Sequence, residues 1–229
     1  AYYGLPLYDR RGAVSFATKA GEFTNAVYGF TNMLVKTWNE ERPDYLAVAF
    51  DLGRTFRDDV FEAYKATREK MPDELRPQIG RIVELVEAFG IPAVTAEGFE
   101  ADDILGTLAA RGARDELEVL IVTGDSDAFQ LIGPHVRVLA PGRLWSDTSV
   151  HDADAVRRRY GLDPAQLIDY KALVGDTSDN VPGVKGIGEK SAVPLLQRYG
   201  SLDGVYAHLD EIEPPRVRSA LEAGRDTAY

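Results

Sequence analysis

The chain has 229 residues, 45% apolar and 28% charged, a globular balance that excludes disorder, collagen and coiled coil; no run approaches the length of a membrane span. It has no cysteine, which excludes disulfide scaffolds, zinc-thiolate sites, iron–sulfur clusters and thiol catalysis, and three scattered histidines (His135, His151, His208) leave little for imidazole chemistry. Acid dominates, with 37 Asp and Glu against 26 Lys and Arg and a net charge of −11, which argues against a nucleic-acid partner unless something specific outweighs it.

In chain order, Ala26, Phe30, Met33, Leu34, Thr37 and Trp38 follow helical spacing, and Asn39–Arg42 end that helix before Pro43. Tyr45–Phe50 is a short apolar run suited to a strand buried on both faces. Ile79, Ile82, Val83, Val86 and Phe89 mark a second helix closed by Gly90, followed by a weaker strand over Ile91–Thr95. Ile104, Leu105, Leu108 and Ala109 mark a third helix, expected to close at Gly112. Val119–Val122 and Val136–Ala140 complete the strands. Strands alternating with such helices predict an α/β fold with a mostly parallel central sheet flanked by helices. From Asp152 onward the pattern is helical, over Asp152–Tyr160, Pro164–Val174, Glu189–Tyr199 and Ser201–Leu209. The expected division is an α/β core over residues 1–150 and a helical region over 151–229.

The acids fall where strands end. Asp51 follows Phe50; Glu100, Asp102 and Asp103 open the helix after Ile91–Thr95; Asp125 and Asp127 follow Val119–Val122. In a parallel sheet the carboxyl ends of strands share one edge, where ligands bind. Asp176 and Asp179, in the loop Gly175-Asp-Thr-Ser-Asp-Asn180, are expected to join them. Eight clustered carboxylates raise one another's pKa unless cations compensate, and an all-oxygen set suits Mg²⁺ or Mn²⁺, not zinc. Taken singly, each acid also has an ordinary use as a helix cap or dipole partner. The eight account for most of the net charge, so a phosphate-rich substrate becomes compatible with the composition.

A second signal is Pro182-Gly-Val-Lys-Gly-Ile-Gly188-Glu-Lys-Ser191, similar to the hairpin of a helix–hairpin–helix motif. Gly183, Gly186 and Gly188 let backbone approach a phosphate, the next helix offers N–H groups, and Lys185, Lys190 and Arg198 make the stretch basic. Such a contact reads nucleic-acid backbone, not sequence. Between Arg54 and Arg81, seven basic residues are interleaved with Phe56, Phe61 and Tyr64, but six acids share the stretch, and on charge alone it reads as a solvated helical face.

Together, Phe50-Asp51, Thr55-Phe-Arg57, Tyr64-Lys-Ala-Thr-Arg68, Gly98-Phe-Glu-Ala-Asp-Asp103, Thr123-Gly-Asp-Ser-Asp127, the Gly175–Asn180 loop and Pro182–Lys190 stand in the order seen in 5′-nuclease domains. The chain resembles the flap endonuclease family, including the 5′→3′ exonuclease domains of bacterial DNA polymerases I. That resemblance implies a two-metal phosphodiesterase acting on DNA: 5′ flaps, nicked or branched duplexes and RNA–DNA primer ends. It implies Mg²⁺ or Mn²⁺, two or more ions, held directly or through water by Asp51, Glu100, Asp102, Asp103, Asp125, Asp127, Asp176 and Asp179. Residues 54–81 would form part of a helical arch or clamp, with Arg57 and Tyr64 on the DNA and Lys65 and Arg68 acting on the scissile phosphate. The helix–hairpin–helix near 174–199 would hold duplex through Gly183, Lys185, Gly186, Gly188 and Lys190, with K⁺ at its backbone carbonyls. A monomer without membrane contact, cytoplasmic at the nucleoid, is the matching expectation. Family members usually begin with an apolar strand ending in Asp-Gly just before a stretch like Ala1–Pro6, and a polymerase portion can follow; the sequence reads as a fragment of such a protein. Two other readings stay open on the residues alone: a Mg²⁺-dependent phosphatase using Asp125-x-Asp127, and a non-catalytic DNA-binding module.

Overall fold

The computed structural model describes residues 16–142 and 148–229; Ala1–Pro6 lies outside them. In chain order the elements are α1 (Asn25–Glu41), β1 (Val48–Ala49), α2 (Phe56–Val60), α3 (Arg76–Ala88), β2 (Ala93–Val94), α4 (Ala101–Arg114), β3 (Val119–Val122), β4 (Val136–Pro141), β5 (Thr148–His151), α5 (Ala153–Tyr160), α6 (Leu167–Val174), α7 (Glu189–Tyr199), α8 (Leu202–Ala207), α9 (Pro215–Ala223) and α10 (Arg225–Ala228). No helix among the described residues is long and apolar enough to cross a membrane. The described residues form two compact units, one within residues 1–54, 69–104 and 141–147 and the other within 55–68, 105–140 and 148–229.

In the first unit β1 and β2 pair in parallel, Val48 against Ala93 and Ala49 against Val94. The strand expected over Tyr45–Phe50 is shortened to two residues. Its partner explains the loss at the N-terminal end: Pro92 can accept from Val48 N–H (2.9 Å) but has no N–H to return. The core is Ala26, Leu34, Ile82, Val86 and Ile91, contributed by α1, α3 and the approach to β2. Thr24 makes no side-chain cap for α1. Gln78 of α3 does that work: its Oε1 accepts from Ala26 N–H at 2.8 Å and its Nε2 donates to Asn25 Oδ1 at 2.9 Å. This satisfies groups that are otherwise orphaned at a helix start.

In the second unit β3, β4 and β5 form one ladder in that order, with β3 and β4 parallel from Val119 opposite Val136 to Val122 opposite Leu139. Both ladders with a recorded register are therefore parallel, as the α/β reading expects, but among the described residues they are two short sheets. One buried cluster joins Ile121, Phe129 and Val138 to Val156 and Leu167, so the helices after β5 pack on the β3–β4 ladder. A second cluster, including Leu173, Val184, Leu196, Val205 and Leu221, builds the C-terminal helical region.

Gly112 does not end the third helix. It lies inside α4, where a Cβ would come within 2.7 Å of Val119 Cγ2, so it is there to let β3 approach. Glu116, at φ +58, ends the helix, with Leu117 N–H donating to Gly112 O (2.9 Å) and Glu116 N–H to Ala113 O (3.1 Å). β5, α2, α9 and α10 add elements to the sequence reading. β5 lacks alternation, and α9 announces itself only by Pro214-Pro215 before Val217, Ala220 and Leu221.

Candidate metal centre and nucleic-acid interface

The site in the second unit starts where β3 ends. Asp125 N–H donates to Thr123 Oγ1 (3.1 Å), and the Asp125 carboxylate accepts from Asp127 N–H (3.0 Å), capping a 3₁₀ turn over Ser126–Leu131. Buried Phe129 anchors the turn, and Asp127 is left half-buried in its first residues.

The other carboxylates come from the loop after α6. Gly175, at φ +87, turns the chain, and Asp176 and Val181 exchange backbone hydrogen bonds of 2.8 Å in each direction. This narrow loop fixes Asp176, whose Oδ1 accepts from Ser178 N–H (2.8 Å) and Ser178 Oγ–H (2.6 Å). Ligand oxygens of Asp127, Asp176 and Asp179 then lie within 4.8 Å of one another. Three half-buried carboxylates at that spacing, with only oxygen donors, suit a hard divalent cation.

Lys171 of α6 is already among them. Its Nζ donates to Asp127 Oδ1 and, at 2.5 Å, to Asp176 Oδ2. Burial works against ionisation of Asp176, but the Lys171 ammonium and Ser178 hydroxyl overcome it and hold the carboxyl at about 2. Burial raises the Asp127 carboxyl, with Asp125 and Asp176 adding repulsion, against the opposing pull of Lys171. Burial also opposes charge on Lys171, yet the two carboxylates raise it overall. Lys171 escaped the sequence reading; its signal is a lone cation inside the apolar helix Leu167–Val174, five residues before Asp176.

The Tyr64–Arg68 segment is tied to the same loop. Arg68 Nη2 donates to Asp179 Oδ1 (2.6 Å) and its Nε to Ser178 O (3.0 Å); Tyr64 Oη donates to Asp179 Oδ2 (3.2 Å). Lys65 N–H donates to Asp179 O (3.0 Å) and Asn180 Nδ2 to Ala63 O (2.7 Å). Lys65 is held at φ +54, a conformation rarely adopted by a residue with a side chain, with Nζ 4.8 Å from the Tyr64 ring. Arg57 stacks over Phe56 at 4.6 Å, both in the first turn of α2.

The hairpin is pinned from behind. A Cβ on Gly183 would lie 2.3 Å from Gly175 N, and Val184 N–H donates to Leu173 O (2.8 Å), so the turn is locked against the end of α6. Gly186 faces outward at φ +92 with only Ala220 Cβ nearby, at 3.8 Å. Gly188 precedes α7, whose start carries no side-chain cap. Its first N–H groups therefore face outward beside exposed Lys185 and Lys190, an arrangement suited to phosphate.

The remaining acids belong to the first unit, around the start of α4. Exposed Asp51 accepts from Ala101 N–H (2.7 Å), and Asp103 accepts from Glu100 N–H (2.9 Å). Both carboxylates thus cap α4, and Asp102 stands exposed in its first turn. The structure brings Asp127, Asp176 and Asp179 together, with Asp125 adjoining Asp127; within the first unit, Asp51 and Asp103 each meet a backbone N–H at the start of α4.

Residues 1–161 match the family model described as 5'-3' exonuclease, N-terminal resolvase-like domain, and residues 162–229 match 5'-3' exonuclease, C-terminal SAM fold. A DNA polymerase I from Chloroflexus aurantiacus is 49% identical over 211 residues, 91% of this chain and 22% of that relative. The curated relatives are much longer: the chain spans about a quarter of their length. Among solved structures, the T5 D15 protein co-crystallized with metal ions superposes with TM-score 0.75 at 20% identity, covering 88% of this chain and 79% of that one. The catalytic core of Rad2 in complex with DNA substrate gives 0.57 at 22%, covering 92% and 65%. At these identities the likeness is one of fold.

Proposed function

The chain belongs to the 5'-3' exonuclease family, and on that premise we propose that it is a divalent-metal-dependent nuclease hydrolysing phosphodiester bonds of DNA. The observation that carries this reading is the half-buried trio Asp127, Asp176 and Asp179, with oxygens within 4.8 Å, in a chain whose family is named for exonuclease activity. The fold neighbours solved with metal ions and in complex with DNA substrate support the same reading.

Asp127, Asp176 and Asp179 would hold Mg²⁺ or Mn²⁺, with Asp125 beside them; Asp51, Glu100, Asp102 and Asp103 would serve a further ion, directly or through water. When bound, such ions lower the pKa of a coordinated water and stabilise charge on the attacking and leaving oxygens. The protein's own part is to fix the carboxylates, which the Asp176–Val181 bridge and the Asp125 cap do, and to bring the phosphate to them. Lys65 and Arg68 supply positive charge for that phosphate, and Arg57 and Tyr64 extend the strand's path. The hairpin from Gly183 to Lys190 holds duplex backbone, and its backbone carbonyls would hold K⁺. The substrates we assign are 5′ flaps, nicked or branched duplexes and RNA–DNA primer ends. No nucleophilic side chain is required, which agrees with the absence of cysteine.

The test incubates the 229-residue chain with a labelled 5′-flap duplex and, separately, para-nitrophenyl phosphate, in Mg²⁺ or EDTA. The nuclease reading expects flap cleavage in Mg²⁺ only and no release of nitrophenol. Nitrophenol release without flap cleavage would assign a phosphatase. Flap binding without cleavage would assign a non-catalytic DNA-binding module.

A further inference from the structure

The oxygens a divalent ion would use in the trio already hold the chain's own cations. Asp176 gives Oδ1 to Ser178 and turns Oδ2 to the Lys171 ammonium, which also binds Asp127 Oδ1. Asp179 gives Oδ1 to the Arg68 guanidinium. Lys171 is only one-third exposed and Asp176 12% exposed, so this contact is shielded from salt, whereas Arg68 is 47% exposed.

We propose that Lys171 and Arg68 are resident counter-ions of this centre, and that a divalent ion enters it by exchange: the ammonium leaves Asp127 and Asp176, and the guanidinium leaves Asp179. The inference rests on the metal reading above and adds what the metal must displace. An ion on the same lone pairs would sit within a few ångström of both side-chain charges, and like charges at that range cannot share the carboxylates in a half-buried site. The released ammonium and guanidinium then face whatever anion approaches the metal. Metal and phosphate thereby favour one another's binding, and linkage makes the effect reciprocal. Without metal, the same cations offset most of the trio's charge and keep the Tyr64–Arg68 segment fastened to the Ser178–Asp179 turn.

The test measures Mn²⁺ binding to the 229-residue chain by electron paramagnetic resonance of the free ion, without DNA. The relevant sites are those lost in the Asp127→Asn/Asp176→Asn double variant. Lys171→Met should bind Mn²⁺ at these sites at least about tenfold tighter, a lower bound on the effect of removing a unit charge a few ångström away at an effective dielectric of about 20. Arg68→Gln should tighten binding by less, because its pair is more exposed, and Lys171→Arg should stay near the parent. If Lys171→Met folds only with metal, its rise in melting temperature on adding Mn²⁺ should exceed the parent's. Unchanged or weaker binding by Lys171→Met together with Arg68→Gln, while the parent binds normally, would overturn the exchange alone. Absence of saturable Mn²⁺ binding in the parent would overturn the metal reading and the exchange with it.

Discussion

Asp176 divides its carboxylate between two tasks, with one oxygen bracing its own loop through Ser178 and the other facing Lys171. That division gives its pKa, about 2, a consequence for stability. The carboxyl titrates near 4 in an unfolded chain, so the folded value is depressed. Its stabilising contribution is therefore fully present above about pH 4 and is lost as pH falls from about 4 towards 2. With screening allowed for, the contribution is on the order of 1–2 kcal/mol. Asp176→Asn should lower the denaturation midpoint in EDTA at pH 7 and flatten the acid limb between pH 4 and 2. A variant whose acid limb parallels the parent's would remove the Lys171–Asp176 contact from the account. At this scale the sequence discloses carboxylates well, because Asp-x-Asp after a strand and acids in a Gly-bounded loop are local patterns. It discloses their partners poorly. Lys171 meets Asp127 across 44 positions and Arg68 meets Asp179 across 111, and no spacing rule connects such pairs.

The elements differ in how much their glycines are asked to do. Gly183 sits where a Cβ would strike the Gly175 backbone at 2.3 Å, whereas Gly186 faces open space and is constrained mainly by its φ of +92. Gly183→Ala should therefore cost roughly 2–4 kcal/mol by forcing the hairpin off α6, and Gly186→Ala about 1–2 kcal/mol. Thermal melts with duplex titrations check the contrast: Gly183→Ala loses stability and binding together, and Gly186→Ala weakens binding with the fold retained. Equal stability losses would mean that the hairpin is not pinned as described. Glycine periodicity in the sequence marks this turn, but does not say which glycine packs and which faces outward. Gly112 makes the same point, since it reads as a helix stop yet is a close-packing position in α4. The cap that Gln78 gives α1 was equally hidden, because donor and acceptor lie 52 positions apart. The existence of α1 and α3–α8 was legible from 3.6-residue periodicity and that of α2, α9 and α10 was not; helix ends depended on contacts made elsewhere.

For the whole molecule, the acidic balance and the nucleic-acid reading are reconciled by where the charge is spent. In the second unit, three of the acids that make the chain unlike a DNA binder are drawn into one trio that already attracts Lys171 and Arg68. The basic hairpin lies in the same unit, in the span matched by the SAM-fold model. Motif order along the chain made the family legible, because local patterns in register survive without knowledge of the fold. The two-unit partition was not, since it depends on β3, β4 and the helices after β5 sharing one core. The central claim is that Asp127 and Asp176 hold the metal on which cleavage depends. It is tested most directly by single-turnover cleavage of a 5′-flap duplex in Mg²⁺ by the Asp127→Asn/Asp176→Asn variant, with DNA affinity measured on the same preparation. Loss of one positioned charge typically costs about 10²–10³ in rate, and loss of a metal removes several effects that act as a unit. The account predicts cleavage reduced by more than about 10³, with DNA affinity unchanged or tighter; cleavage within about tenfold of the parent would contradict it.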